Sequence, residues 1–353
     1  MKFHLVSGAC GFVGRNTVKQ LLKRTNDSVL MVDDLSVGTH PTTWLKDTTV
    51  KKFKDIEIFG KDERLFYWKI DFRKFLNSLN ENPNWLSTEY GLKIDRISDA
   101  FHFAAIVGGR AKIEGDPMAV ALDLSIDAEF FNWIAKAKPE RVLYPSSSAA
   151  YPINMQTESD AVALKESDIN IDGFTLGMPD LTYGWTKMTG EFLAKIAARH
   201  YGISIVCIRP FSGYGEDQDL TYPVPAIAMR AAKKEDPFVV WGTGQQGRDF
   251  VHIDDVMDCM FIAMEKIHDG TAINIGSGKL TTFIDLIKVF CKFAGYSPKI
   301  KPLVDKPMGV HSRFCDMSFV KEIIGWEPKI SLEEGMKRVY DVATENMNIK
   351  VEP

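Results

Sequence analysis

The chain has few cysteines and does not group them. Five among 353 residues, at positions 10, 207, 259, 291 and 315, form no CxxC pair and no even set, which argues against a disulfide framework and a zinc site. A reducing, cytoplasmic setting is expected. Seven histidines show no HExxH or Cys/His spacing, so no metal is assigned. Long hydrophobic runs are missing as well: none approaches the roughly 20 residues of a membrane span, and "MKFHLVSGACGFVG" runs straight into a strand and a glycine loop, without a signal peptide. Nor is there a surplus of positive charge. With 43 Lys and Arg against 47 Asp and Glu, the net charge of -4 offers no broad field for a phosphate backbone. Nucleic acid and membrane are therefore not expected as partners. The chain also lacks an internal repeat, a low-complexity tract and a Pro/Ser linker, so its parts should be continuous and packed together.

What is present is alternation. Short apolar runs, "FHLVS" (3 to 7), "SVLMV" (28 to 32), "LFYWKI" (65 to 70), "DAFHFAA" (99 to 105), "RVLYPS" (141 to 146) and "ISIVCIRP" (203 to 210), are separated by helical patterns over 12 to 24, 117 to 137 and 183 to 201. This is the signature of βαβ units, and the expected class is α/β, a Rossmann-type doubly wound parallel sheet. After Pro210 the segments turn mixed and turn-rich, which predicts a smaller C-terminal substrate-binding region, with "RDFVHIDDV" (248 to 256) returning to the core. The polar stretch 153 to 180 is expected to be a loop over the site.

"SGACGFVGRN" spaces Gly8, Gly11 and Gly14 directly after a strand and at the opening of a helix, with Phe12 and Val13 between the last two. Glycines let backbone approach a pyrophosphate, and the helix start supplies unpaired amides. "MVDDL" ends the next strand with Asp33, 19 residues after Gly14, where a carboxylate accepts hydrogen bonds from ribose hydroxyls and repels a 2′-phosphate. No basic residue follows in "DDLSVG", so the expected cofactor is NAD, held by Gly8, Gly11, Phe12, Val13, Gly14, Asp33 and Asp34. Asp71, followed by Phe72 after the third run, either reaches the adenine edge or caps a helix.

"LTYGWTKMTGE" places Tyr183 and Lys187 four residues apart on a predicted helix, hence on one face. None of the other nine tyrosines has a lysine at that spacing. A phenol with a reference pKa of about 10 becomes a base near neutrality if a lysine ammonium and the nicotinamide charge favour the phenolate by about 4 kcal/mol. Arg110 and Lys112, in "VGGRAKIEG", read as a solvated helix start, with a carboxylate or an extra hydroxyl of a ligand as the alternative partner.

The glycine loop, the Ala104-Ala105 pair, "SSSAAYP" (146 to 152), the YxxxK pair, "GRDFVHIDDV" and "GVHSRFCDMSFVKEIIGWEP" together resemble the extended short-chain dehydrogenase/reductases that act on nucleotide sugars, over nearly the whole chain. The GDP-mannose 3,5-epimerase and UDP-hexose 4-epimerase groups are most similar. The resemblance implies an NAD-binding Rossmann domain over 1–210, with 248–268 returning to it, and a nucleotide-sugar-binding region over 211–247 and 269–353. It further implies that Tyr183 accepts a sugar hydroxyl proton, that Lys187 holds the nicotinamide ribose, and that Ser147 hydrogen-bonds the reacting oxygen. Ala104 and Ala105, with Asp71 and Phe72, would border the cofactor. Arg248 and Arg313 would clamp the diphosphate, Asp316 would approach the nucleotide ribose, and Ser148 and Ser212 would meet the sugar.

The sequence departs from its look-alikes at the reacting carbons. Ala149 stands where the 3,5-epimerases carry a cysteine, and Ser148 and Ala149 stand where the 4,6-dehydratases carry an Asp-Glu pair; Ser212 replaces the usual asparagine. A methyl cannot move a proton on carbon. The expected activity is therefore an NAD-dependent nucleotide-sugar 4-epimerase passing through a 4-keto sugar, with the hydride leaving and returning on the cofactor. A 3,5-epimerase-like enzyme, for which Arg110, Lys112 and Glu216 are the residues to inspect, a nucleotide-sugar dehydrogenase and a non-enzymatic NAD sensor are the alternatives. A homodimer through the Tyr183 helix is implied by the same resemblance.

Overall fold

The apolar runs form the strands of one nine-stranded sheet: β1 (Phe3–Ser7), β2 (Ser28–Val32), β3 (Val50–Phe53), β4 (Ile56–Phe59), β5 (Leu65–Trp68), β6 (Ile97–His102), β7 (Arg141–Pro145), β8 (Ile205–Pro210) and β9 (Asp269–Ile275). They are seen in a computed structural model that describes residues 2–106, 110–159, 161–173, 176–306 and 308–349. The order across the sheet is β9-β8-β7-β6-β1-β2-β5-β4-β3. Every neighbour is parallel except at the β5-β4-β3 edge, where the chain folds back as antiparallel ribbons. Residues of β1, β2, β5 and β6 are buried throughout, as strands covered by helices on both faces must be, and that is why they read as unbroken apolar runs.

Four helices position the site: α1 (Phe12–Arg24), α2 (Asp123–Ala137), α3 (Leu181–Tyr201) and α4 (Ile253–Lys266). Side chains alternate across a strand, so Val6 and Met31 face a core made with Val18 and Leu21 of α1 and Val256, Met257 and Met260 of α4. Leu5 and Leu30 face the other core, made with Phe130 and Ile134 of α2 and Ala194 and Ala197 of α3. Strand order runs outward in both directions from β1 and β6, and the crevice above their carboxyl ends is where such sheets bind ligands.

A third core, with Tyr214, Ile227, Phe238, Phe290 and Met336, holds the smaller C-terminal region. Its strands Gly247–Arg248 and Ser312–Arg313 lie side by side in parallel. Strand Phe250–His252 pairs with Ser212–Tyr214, and α4 follows it back onto the β1 core.

Three local expectations differ from what is observed. A strand at Asp269–Ile275, absent from the apolar runs, pairs with β8 and completes the sheet; the Asp, Gly and Thr of "DGTAINI" interrupt the apolar run that would have revealed it. The helix expected over 117 to 137 is split into Pro117–Val120 and α2. The β3-β4 ribbon has no counterpart among the apolar runs, since all four β3 residues are exposed.

Arg209 of β8 and Glu191 of α3 form an ion pair at 2.7 Å, their side chains only 3% and 2% exposed. The geometry is bidentate, with Arg209 Nε 2.8 Å from the other carboxylate oxygen. Removing one partner leaves a buried unpaired charge, which typically costs about 3–5 kcal/mol, roughly a third or more of a domain's whole stability. Glu191→Ala is expected to lower the urea midpoint correspondingly. A midpoint within experimental error of the native one would show that the pair does not hold α3 to the sheet.

Candidate active site

The glycine loop joins β1 to α1. Gly14 packs so close to the preceding turn that a Cβ there would stand 2.0 Å from the Gly8 carbonyl oxygen, so only glycine lets the helix start reach the loop. The helix opens from Gly11 without a side-chain cap and without an acidic residue in its first turn, which leaves its leading amides to an anion. Asp33, at the carboxyl end of β2, accepts the Cys10 amide at 2.9 Å and the Leu35 amide at 2.8 Å, one on each oxygen. Burial holds its carboxyl above the usual range, against those amide bonds. Asp34 beside it is exposed and accepts the Ser36 amide at 2.9 Å. This cradle suits the pyrophosphate and adenosine ribose of NAD.

Of the other cofactor candidates, Phe12 and Val13 open α1 and lie partly buried against the β1 core. Ala104 sits just past β6, its amide donating to Ser7 Oγ at 3.1 Å, and Ala105 follows it. Asp71 acts as a helix cap: it accepts the Arg73 amide at 2.8 Å and pairs with the Arg73 guanidinium at 2.6 Å. The Phe72 ring is packed inside the core between Phe75 and Phe130, so it leaves only its backbone for a ligand.

The hydroxyl run follows β7. Ser147 Oγ accepts the Ala149 amide at 3.1 Å and so caps a short 3-10 turn, Ser148–Ala150. The Ala149 carbonyl in turn accepts the Asp180 amide at 2.9 Å, which seats the start of α3 on this turn. Tyr183 and Lys187 therefore stand one helical turn apart on the helix that starts against this turn, in which Ala149 is buried. The Lys187 ammonium lies 5.6 Å from the Tyr183 ring centre and 5.6 Å from that of Tyr144. Lys187 is 4% exposed and shows no hydrogen bond to the protein among the described residues. Burial pulls that ammonium down, but the charges of Tyr183, Asp127 and Asp123 outweigh it and hold Lys187 above an ordinary lysine.

Asp123, at the start of α2, faces the same ammonium. One carboxylate oxygen accepts the Ile106 amide and the other is buried without a partner. Burial pushes its carboxyl up to about 6, partly countered by Lys187.

The substrate-side candidates gather in the C-terminal region. Arg313 binds Gln156 Oε1 at 2.5 Å and Asp180 at 2.8 Å, tying the 153–180 segment to the head of the Tyr183 helix. Arg248 donates to the Gly247 carbonyl at 2.7 Å, alongside Arg313 in the neighbouring strand. Asp316 accepts the Ser318 amide at 2.8 Å, and the Ser212 amide donates to the Asp249 carbonyl at 2.8 Å. Glu216 is held by His252 at 3.1 Å. Arg110 opens the helix Arg110–Gly115, and the side chains of Arg110 and Lys112 lie outside the described residues.

Residues that no motif marks carry much of this geometry. Glu191 shares a helix face with Tyr183 and Lys187, at spacings of eight and four, and that spacing is the one signal the chain offers for it. Asp249, Asn274 and Asp180 give none, because their partners come from distant segments.

The profile of the NAD dependent epimerase/dehydratase family matches residues 4–276. A UDP-glucuronate 4-epimerase of Thermodesulfobacterium geofontis is 26% identical, over 99% of this chain and 98% of its own. A GDP-mannose 3,5-epimerase of Oryza sativa subsp. japonica is 27% identical, over 95% of this chain and 80% of its own. Among solved structures, a UDP-glucuronic acid 4-epimerase from Bacillus cereus, in complex with UDP-glucuronic acid and NAD, superposes with a TM-score of 0.75. It is 22% identical and covers 98% of this chain and 100% of its own.

The raised Asp123 carboxyl links stability to pH. Its folded pKa lies above its unfolded one, so the stability it contributes is present below about pH 4 and is lost as pH rises through about 6. Asp123→Asn keeps an acceptor for the Ile106 amide and removes the ionisation. In nucleotide-free protein it is expected to melt several degrees higher than the native chain at pH 8, equivalent to roughly 3 kcal/mol, with the gap closing between pH 6 and 4. Equal melting temperatures at pH 8 would mean that the fold does not raise the Asp123 carboxyl.

Proposed function

The chain belongs to the NAD dependent epimerase/dehydratase family, and from that premise we propose that it is a nucleotide-sugar 4-epimerase. The observation that carries the reading is the composition of the turn against which α3 starts. Hydroxyls and a phenol stand there, and the position between them is a buried alanine. Such a set can move a proton on oxygen and cannot move one on carbon.

In this reading Tyr183 takes the proton from the C4 hydroxyl and later returns it. Ser147 donates to the same oxygen and holds it toward Tyr183, and the Lys187 ammonium stabilises the phenolate electrostatically. Bound NAD supplies the hydride acceptor and donor. Its ribose would be held by Lys187, its pyrophosphate by the α1 amides after Gly11, and its adenosine ribose by Asp33. Arg248 and Arg313 would bind the diphosphate of the substrate, for which planar forks of donors suit phosphate oxygens. Asp316 would face the nucleotide ribose, and Ser148 and Ser212 would line the sugar. The 4-epimerase named among the relatives supports the choice of C4 over the full length of the chain.

Tyr183→Phe keeps the ring's packing and removes the acid/base oxygen. Turnover of a nucleotide sugar is expected to fall at least about 100-fold, the order usual for general acid/base loss, with melting temperature unchanged; retained activity would place the base elsewhere. The reaction type is read from product made in heavy water. A 4-epimerase returns the same hydride, so the product should be inverted at C4 with no deuterium on carbon. Deuterium at C3 or C5 would replace this reading with the 3,5-epimerase one.

A further inference from the structure

Lys187 is a buried cation, and such a group keeps its proton only if a fixed negative charge accompanies it. We propose that Asp127 is this charge: a positioning residue that, from behind Tyr144, keeps Lys187 protonated and directed at Tyr183. The inference rests on the Tyr183/Lys187 reading above.

The hydrogen bonds define the state of each partner. Ser7 Oγ accepts the amides of Phe103 and Ala104, each at 3.1 Å, so its own proton is free to go to His102 Nδ1, 3.0 Å away. Nδ1 is then an acceptor, and the ring proton sits on Nε2, where it donates to Asp127 Oδ1 at 2.9 Å. Tyr144 donates to the other oxygen, Oδ2, at 2.6 Å. Asp127 thus receives two donors from neutral side chains and stays ionised. Burial pushes its carboxyl up, but the His102 bond, the Lys187 charge and the Tyr144 bond bring it below the usual range. Burial also keeps His102 neutral and the Tyr144 phenol protonated.

Tyr144 carries this charge to the catalytic helix. Its hydroxyl grips Asp127 while the Lys187 ammonium lies near its ring, within the roughly 6 Å of a cation–π contact. The helix comes this close only because residue 190 is glycine: a Cβ there would stand 1.8 Å from the Tyr144 hydroxyl. The titratable groups facing Lys187 are Tyr183 on its own helix, Asp123 and Asp127 on α2, His102 on β6 and Tyr144 on β7. Asp123 is a poorer fixed charge than Asp127: its second oxygen has no donor and its carboxyl takes up a proton near pH 6, whereas Asp127 is held below the usual carboxylate range.

The test is the pH profile of kcat/KM for the NAD-loaded enzyme on the nucleotide sugar it turns over, together with NAD affinity by calorimetry between pH 7 and 10. In Asp127→Asn the alkaline limb is expected to move at least about one pH unit toward neutrality as Lys187 loses its proton sooner. kcat should fall about tenfold at pH 8 with KM within about twofold, and NAD affinity should fall off over the same lowered range. Tyr144→Phe, which leaves Asp127 its His102 bond, should shift both curves in the same direction by less, and it carries the test if Asp127→Asn does not fold. Profiles that superimpose on the native ones, with only the melting temperature lowered, would overturn the proposal. The calorimetric arm separates the two readings. If no nucleotide sugar is turned over, the epimerase assignment fails, while the pH dependence of NAD affinity still decides the role of Asp127.

Discussion

The ion pair between Arg209 and Glu191 is the constraint on which the site depends. Glu191 lies two turns beyond Tyr183 and one beyond Lys187, so anchoring it to β8 fixes the rotation of α3 and with it the direction of both side chains. Ser146 donates to the same carboxylate and draws in the end of β7. Arg209 reaches the Tyr151 hydroxyl at 3.0 Å and the Glu166 carbonyl at 3.2 Å. Tyr151 in turn donates to Asn274 Oδ1 at 2.7 Å, and Asn274 Nδ2 donates to the Leu164 carbonyl at 2.9 Å. Helix, sheet and covering segment are located by one desolvated pair. Such a pair returns little net stability over apolar packing; here it defines a geometry, since breaking it would leave a charge unpaired in the dry interior.

Asp249 does for the C-terminal region what Glu191 does for α3. Its buried carboxylate accepts the amides of Ser277 at 2.6 Å, Gly278 at 2.9 Å and Cys315 at 3.2 Å. Three segments far apart in sequence converge on one side chain, and Arg248, Arg313 and Asp316 are its neighbours along those segments. The two arginines are thereby brought side by side on adjacent parallel strands. Rigid mounting of this kind lets a few side chains hold a ligand within the tolerances that catalysis needs.

The turn against which α3 starts carries the hydroxyls of Ser147 and Ser148 and the buried methyl of Ala149. The charge of the site is concentrated behind the catalytic helix, in Lys187, Asp127 and Asp123, where low dielectric magnifies each interaction. The hydroxyls of Ser147 and Ser148 add direction without adding charge.

Much of this was legible in the chain. The glycine spacing, the acid ending the second strand and the YxxxK pair are local signals, set by what backbone and a single helix face can do; the first opens α1, the second ends β2 and the third lies on α3. The apolar runs predicted six strands because fully buried strands need continuous hydrophobicity, and α1 has the bounds its pattern implied. Other features had no local signal. Strand β9 is recognisable only by pairing with β8, Asp71 is a cap because Arg73 folds back on it, and the Phe72 ring is lost to the core because α2 packs over it. The chain by itself determined the fold class and the dependence on NAD, both products of short-range periodicity and side-chain chemistry. Tertiary structure decided the partners of the buried charges, Glu191 with Arg209 and Asp127 with His102 and Tyr144, because the environment of a desolvated group is supplied by whichever distant segments the packing brings to it.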